Sequence, residues 1–319
     1  MKSKCSIGYL LCGILLVCVT LVPAQSQDSL FVENSVTLHT STGDIQGTLC
    51  SPGAGKHFPV ALIIAGSGPT DRDGNNPLMR NDSYKMLAHE LAKKGIASLR
   101  YDKRGIGESK AALKDEASLS FEDYVEDAKQ WVRLLKADDR FSTVTVIGHS
   151  EGSLIGMLAA GNADGYISIA GAGIPANELL KQQLGKLPEP VKAFAFPALD
   201  SLSQGKQVKN VPAQFNALFR PSVQPYLISW FKYDPAKEIK KLSIPILILQ
   251  GTNDLQVSVE DAKKLSAAAP AAKLVLLKNM NHVLRTVEGD MQANLKTYSD
   301  PSLPIDSELV SAIASFLNK

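Results

Sequence analysis

The sequence predicts an α/β fold, with a mostly parallel central sheet, helices on both faces and an inserted helical lid. Three observations predict it. Short apolar runs alternate with amphipathic stretches along most of the chain. One of these, "VTVIGHSEGSLIGMLAA" from Val144 to Ala160, passes from strand-like to helix-like sequence with no linker. The alternation stops between Ile174 and Lys241 and then resumes. Strands alternating with helices bury their apolar faces as a parallel sheet covered on both sides.

The first residues stand apart. Lys2 and Lys4 precede an apolar run from Ile7 to Val22, and Val22-Pro23-Ala24 leads into polar Gln25-Ser26-Gln27. A basic start, a short apolar run and a small residue before a polar stretch read as a secretory signal peptide over residues 1–24. The run is shorter than the ~20 residues that span a bilayer. Cleavage after Ala24 exports the protein to the periplasm or the exterior; an uncleaved segment would instead hold it at a membrane. Cleavage also removes Cys5, Cys12 and Cys18, which leaves Cys50 without a disulfide partner. Two lysines go with them, so the 34 basic residues fall to match the 32 acidic ones. A near-neutral chain without a basic cluster has no electrostatic footprint for nucleic acid.

The remaining elements follow in order. "SVTLHTSTGDIQGTLCSP" reads as a hairpin turning at Gly43-Asp44, which puts antiparallel strands at one edge. "FPVALIIAGSG" is a buried parallel strand running into glycines. "SYKMLAHELAKKG" spaces Met86, Leu87 and Leu91 on a helix that stops at Gly95, and "IASLRYD" is the next strand. "FEDYVEDAKQWVRLLKAD" places Tyr124, Ala128, Trp131, Leu134 and Leu135 on one helical face. "GYISIAGAG", "IPILILQG" and "KLVLLKNMN" are further strands, with the helix "SVEDAKKLSAAAP" between the last two and "IDSELVSAIASFLNK" as the closing helix. The fold core is therefore expected over 36–173 and 242–319. The stretch 174–241 is expected to be short helices and loops, because it holds eight of the chain's 17 prolines together with Phe194, Phe219, Tyr226, Trp230 and other aromatics. It is placed as a lid with its own small core, at the strand ends where open α/β sheets bind ligands.

Chemistry is concentrated at Gly148-His149-Ser150-Glu151-Gly152, a G-x-S-x-G elbow between strand and helix. Such a turn is tight enough that side chains two positions before and after the serine would collide, so glycine stands at both. A serine needs a base, and the base an orienting acid. Of the five histidines, His39 falls in the hairpin, His57 in a loop, His89 in a helix and His149 beside the serine, with its side chain expected to point away. His282, beyond the last strand, is left as the base. Asp254 follows a strand end three residues after Gly251 and gives the chain order Ser150, Asp254, His282 that this motif uses. The oxyanion donors are expected to be the backbone N–H groups of Glu151 and Ser67. "DRDGNN" has its glycine too early for an EF-hand and is expected to be a stabilised turn, with Arg72 pairing Asp71 or Asp73. "RGIGES" carries only two glycines of a dinucleotide fingerprint, and no Cys/His cluster has metal-ligand spacing, so neither cofactor nor metal is expected.

Taken together, "AGSGPTDRDGNN", "RYDKRGIGES", "GHSEG", "GTNDLQV", "NMNHVL" and "TYSDPSLPIDSELV" resemble the α/β-hydrolase superfamily from Val36 to Asn318, and within it bacterial secreted carboxylesterases of the serine-aminopeptidase-like branch. The resemblance implies Ser150 as nucleophile, Asp254 as acid and His282 as base. It departs from the family at the oxyanion loop, Ala65-Gly66-Ser67-Gly68, where His-Gly is common. The expected function is hydrolysis of small-molecule carboxylic esters through an acyl-enzyme. Alternatives are a serine aminopeptidase, with Glu178 or Glu189 holding the amine, an acyltransferase, or a binding protein without catalysis on the same fold.

Overall fold

The computed structural model describes residues 30–53 and 55–318. The expected signal segment, residues 1–24, lies outside them. Among the described residues, eight strands form one sheet in the order β1-β2-β4-β3-β5-β6-β7-β8. Strands β1 (Phe31–Thr40) and β2 (Gly43–Pro52) form the edge hairpin, pairing from Phe31 opposite Pro52 to Thr40 opposite Gly43. The hairpin begins five residues before Val36, because Phe31 stacks on the His89 ring at a centroid distance of 4.3 Å and ties the strand's start to the first helix. Strand β2 runs antiparallel to β4, and the sheet is parallel from β4 onward.

The βα units come in the expected order: β3 (Phe58–Ile64), α1 (Ser83–Lys93), β4 (Ala97–Tyr101), α2 (Phe121–Lys136), β5 (Phe141–His149), α3 (Glu151–Ala159) and β6 (Gly165–Ile169). Helix α2 starts at a capping box in which Ser120 and Asp123 satisfy each other's backbone N–H. It buries Phe121, Tyr124, Val125, Ala128, Trp131, Val132 and Leu135, while Leu134 is half-buried. Apolar clusters fill both faces of the sheet, one under α2 and α3, the other under α1 and the closing helix.

Between β6 and β7 the chain makes α4 (Ala176–Leu184), α5 (Glu189–Ser203), α6 (Asn216–Phe219), α7 (Gln224–Trp230) and α8 (Pro235–Ile239). Helix α5 is longer than its prolines suggested. It runs 15 residues through Pro197 because Ala195, Ala198, Leu199 and Leu202 are buried, and that burial outweighs the one intrahelical bond proline removes. The insertion's aromatics mostly form its own core and its seat. Phe194 stacks on Phe215 at 4.4 Å and meets Phe219 at 5.8 Å, while Trp230 stacks at 5.9 Å on Phe121 of α2. The chain then completes the sheet with β7 (Ile246–Gly251), α9 (Val259–Ala268) and β8 (Lys273–Leu277), and ends with α10 (Met291–Lys296) and α11 (Ser307–Leu317).

One feature of the topology fixes where a ligand can sit. From β3 the chain moves to β4 on one side, and from β5 to β6 on the other, although β3 and β5 are neighbours. The carboxyl ends of β3 and β5 therefore flank a crevice where the winding reverses. Helix α3 starts in that crevice and is pressed hard against β3. A Cβ on Gly152 would stand 2.3 Å from the Ile64 carbonyl oxygen and 2.6 Å from that of Ala65, and one on Gly148 would stand 2.1 Å from the Gly152 oxygen. Backbone cannot yield as a flexible side chain does. Gly152→Ala is therefore expected to cost more than the ~1–3 kcal/mol of ordinary overpacking. Gly161→Ala, where a Cβ meets nothing within 4 Å, is the control. Thermal or denaturant unfolding of the two variants checks this, and equal stability would contradict it.

Candidate active site

Ser150 sits at the corner with φ 55° and ψ −120°, a backbone conformation that costs an L-residue about 1–3 kcal/mol and persists only where surroundings impose it. The surroundings do so from two sides. The Ser150 N–H donates to the Ile169 carbonyl of β6 at 3.0 Å, and the Gly152 contact holds α3 against β3. The Glu151 N–H opens α3, so it has no acceptor within the helix. Across the crevice, Gly66 N–H donates to the Tyr84 hydroxyl at 3.1 Å, whereas Ser67 N–H makes no hydrogen bond among the described residues. The two N–H groups expected as oxyanion donors are thus both uncommitted, and Ser67 and Ser150 line the same two cavities.

His282 lies in the loop after β8, and its Nδ1 meets Asp254 Oδ2 at 2.8 Å. Asp254 is fixed from several directions. Its Oδ1 accepts from the N–H of Gln256 at 2.7 Å and of Val257 at 3.0 Å, and the Gln250 amide lies 3.3 Å from Oδ2. Burial alone would raise its pKa, but the His282 ring and these N–H donors outweigh burial and hold the carboxyl below its ordinary value. A carboxylate in that state suits an imidazole that must keep one orientation and gain a proton on the far nitrogen. His282 and Ser150 line one cavity of about 290 Å³. The structure thus brings Ser150, Asp254, His282, Ser67 and Glu151 to one place.

His149 does not turn away as its position beside the serine suggested. It is buried, its ring centroid lies 4.6 Å from that of His282, and its Nε2 meets the His282 backbone carbonyl at 2.9 Å. A carbonyl only accepts, so the ring proton is on Nε2 and Nδ1 accepts from the Tyr84 hydroxyl at 2.8 Å. The chain of bonds runs from Gly66 N–H through Tyr84 and His149 to the loop that carries His282. Burial first, and the neighbouring His282 second, push the His149 pKa down to about 3. No spacing rule signals this role; a histidine in the variable position of an elbow is the only hint.

A second set of residues escaped the sequence. The Glu151 carboxylate is buried and pairs with Lys103 Nζ at 2.6 Å, Lys103 also donates to the Gly66 carbonyl at 2.7 Å, and Tyr226 of the insertion donates to Glu151. The "DRDGNN" stretch is a tied turn. Asp71 accepts from the N–H of Asp73 and Asn75, and Asn75 accepts from those of Asn81 and Asp82. Arg72, however, pairs with Glu108 and Asp102 rather than with Asp71 or Asp73. Arg100 reaches Asp73 from the sheet instead, and the turn directs Arg72 towards the loop after β4. Among the described residues, Glu33, Cys50 and His89 lie close enough to share a metal ion. Arg100 already pairs with Glu33 at 2.9 Å, and burial pushes the Cys50 thiol up to about 11, so the cluster is a poor cation site.

Known proteins resemble this chain in sequence and in fold. A family described as serine aminopeptidase, S33 matches residues 80–225. Esterase EstD of Thermotoga maritima is 29% identical over 265 residues, covering 81% of this chain and 61% of its own. A probable lysophospholipase L2 of Haemophilus influenzae is 24% identical and covers 66% of this chain and 76% of its own. Among solved structures, Est1E of Butyrivibrio proteoclasticus with ferulic acid bound superposes with a TM-score of 0.61 at 19% identity, covering 89% of this chain and 99% of its own. The Pyrococcus furiosus esterase Pf2001 does so with a TM-score of 0.57 at 16% identity, covering 90% of each chain. At such identities the structures speak to the fold alone: it is that of an α/β hydrolase. In sequence, residues 80–225 are similar to the serine aminopeptidase family, and most of the chain is similar to an esterase of which it spans about three fifths.

The His149 geometry has a measurable consequence. The folded protein keeps His149 neutral down to about pH 3, whereas an unfolded histidine takes up a proton below ~6.5. Acid therefore favours the unfolded chain between those limits. Against His149→Gln, which retains a donor for the His282 carbonyl but cannot titrate, wild type is expected to lose up to ~1.4 kcal/mol of stability per pH unit in that window. Denaturant unfolding of both proteins from pH 7 to 3 reads the difference; parallel curves would refute it.

Proposed function

We propose that the protein is a serine hydrolase that cleaves carboxylic esters through an acyl-enzyme, with Ser150 as nucleophile, His282 as base and Asp254 as the orienting acid. The observation that carries this is the pairing of a strained Ser150 with His282 in one cavity, where Asp254 holds the His282 ring by its Nδ1 at 2.8 Å. That bond leaves Nε2 free to take the hydroxyl proton. Oγ then bonds to the carbonyl carbon, and the carbonyl electron pair moves to oxygen. The oxyanion is met by the N–H groups of Glu151 and Ser67. As it collapses, the bond to the leaving oxygen breaks and His282 gives that oxygen its proton. Water, deprotonated by the same His282, then releases the acid and restores Ser150. The residues of this reaction call for no cofactor or metal.

Ester cleavage is favoured over aminopeptidase action by the surroundings of the cavities. Glu178 and Glu189, the carboxylates available for a substrate amine, are exposed and line neither cavity beside Ser150. Glu151 lines one, but Lys103 and Tyr226 already occupy its carboxylate. We take the substrate to be a small-molecule ester and the helices between β6 and β7 to be a lid. Residues 1–24 are proposed to export the protein, on composition alone.

Ser150→Ala is expected to abolish hydrolysis of p-nitrophenyl acetate, leaving the circular dichroism spectrum unchanged. Asp254→Asn is expected to lower kcat by ~10⁴-fold, because the neutral amide favours the wrong imidazole tautomer. Activity in Ser150→Ala equal to wild type would remove the mechanism.

A further inference from the structure

Two cavities meet at Ser150, and they differ in what else lines them. The wider, of about 290 Å³, is lined by His282 and by the loop after β3, including Thr70, Gly74, Asn76 and Met79. The narrower, of about 60 Å³, lies under the insertion and is walled by Leu154, Ile174, Leu179, Leu180 and Trp230. His282 does not line it.

Resting on the ester-hydrolase reading, we propose that the narrow cavity holds the acyl group and the wide cavity the departing alcohol, so that the substrates are short-chain acyl esters of bulky, polar alcohols. The reaction itself makes the division. In the tetrahedral intermediate one substituent stays on the carbon bound to Ser150 Oγ and the other leaves with a proton from His282. The leaving oxygen therefore lies on the side where His282 lies. The acyl chain takes the remaining direction, toward the cavity that His282 does not reach.

Size and chemistry then set the class. At ~10–15 Å³ for each water-sized group such a space can centre, the narrow cavity of about 60 Å³ seats about four to six carbons. Its walls are mostly aliphatic, with Trp230 and the polar Gln183 and Gln256 among them. Its one carboxylate, Glu151, is closed off by Lys103 and Tyr226, so a cationic or aminoacyl chain finds no free carboxylate there. The wide cavity is several times larger. It offers Thr70 and the Asn76 amide N–H group, whose Oδ1 already accepts from Leu78 and Met79, beside apolar Met79, Val283 and Leu284, which suits a sugar-sized polyol with one apolar face. The tied "DRDGNN" turn supplies part of this wall. Its internal bonds, Asn75 to Asn81 and Asp82 above all, hold that wall rigid.

The test separates the two cavities. With p-nitrophenol as the constant leaving group, kcat/KM is measured for acyl chains from two to eight carbons. A fall of at least tenfold from butanoate to octanoate is expected. Leu180→Ala should raise the octanoate-to-butanoate ratio at least fivefold, and Leu180→Trp should lower the butanoate-to-acetate ratio. The opposite signs of the two variants guard against a mere loss of folding. In the second arm, Asn76→Ala should reduce kcat/KM for a monosaccharide butanoate severalfold more than for methyl butanoate, while the chain-length profile stays put. Octanoate turned over as fast as butanoate, or a chain-length profile that follows Asn76→Ala and ignores Leu180, would overturn the assignment. Turnover of no ester above the Ser150→Ala background would instead overturn the hydrolase reading beneath it.

Discussion

The contact between the first turn of α3 and the end of β3 governs the arrangement of the rest. Gly152 lies so close to the Ile64 and Ala65 carbonyls that no side chain fits. That closeness is what turns the chain within one residue and forces Ser150 to a positive φ. It also brings β3's loop, with Gly66 and Ser67, alongside the serine, so the Ser150 side chain and an uncommitted N–H face one crevice. A helix starting a few residues later would leave Ser150 in relaxed backbone and Ser67 out of reach. The strain at Ser150 is thus maintained by packing on one side and by the Ile169 hydrogen bond on the other.

From this corner two buried networks run outward, one to each wall. Through His149, the elbow bonds the main chain of the His282 loop and, through Tyr84, the main chain at Gly66. Through Glu151, it bonds Lys103 after β4 and Tyr226 of α7. A buried ion pair is weak support for stability, since desolvation offsets much of its attraction, but removing one partner strands the other at a cost of about 3–5 kcal/mol. Such a pair fixes geometry more than it strengthens the fold. Here it ties the insertion to the residue next to Ser150, so movement of α7 would be felt at the Glu151 N–H.

The sequence made the fold and the chemical groups legible for a definite reason. Parallel strands, amphipathic helices and the elbow are local patterns, and the order Ser150, Asp254, His282 is a one-dimensional feature. Partners across the fold are not. Nothing near Arg72 in sequence says that Glu108 and Asp102 await it while Arg100 takes Asp73. Nothing near His149 points to a carbonyl 133 residues away. The insertion shows a third kind of limit. Its aromatics suggested a surface over a pocket, but stacking among Phe194, Phe215 and Phe219 and onto Phe121 accounts for most of them, and of the aromatics only Trp230 lines the narrow cavity. Composition counts aromatic rings without telling which face they serve.

The unequal cavities follow from the winding of the sheet. Asp254 follows β7 and His282 follows β8, two and three strands beyond β5. To reach Ser150, the loop after β8 must cross back over the sheet. It does so on the side of α1, where the Val283 carbonyl accepts from Ser83 Oγ at 2.8 Å and the Arg285 guanidinium donates to the Asn81 carbonyl. That path closes His282 against the β3 loop and makes the wide cavity theirs together. The insertion leaves the sheet after β6, on the opposite side of Ser150, and the space beneath it is bounded without His282. Apart from Ser67, Ser150 and Gln256, which line both cavities, the two sides draw mostly on different stretches of chain, residues 68–84 and 172–235. The stretch 172–235 can change its lining while Ser150, Asp254 and His282 keep their distances, whereas within 66–84 the bonds of Asn81, Ser83 and Tyr84 to the His282 loop and to His149 restrict what can vary.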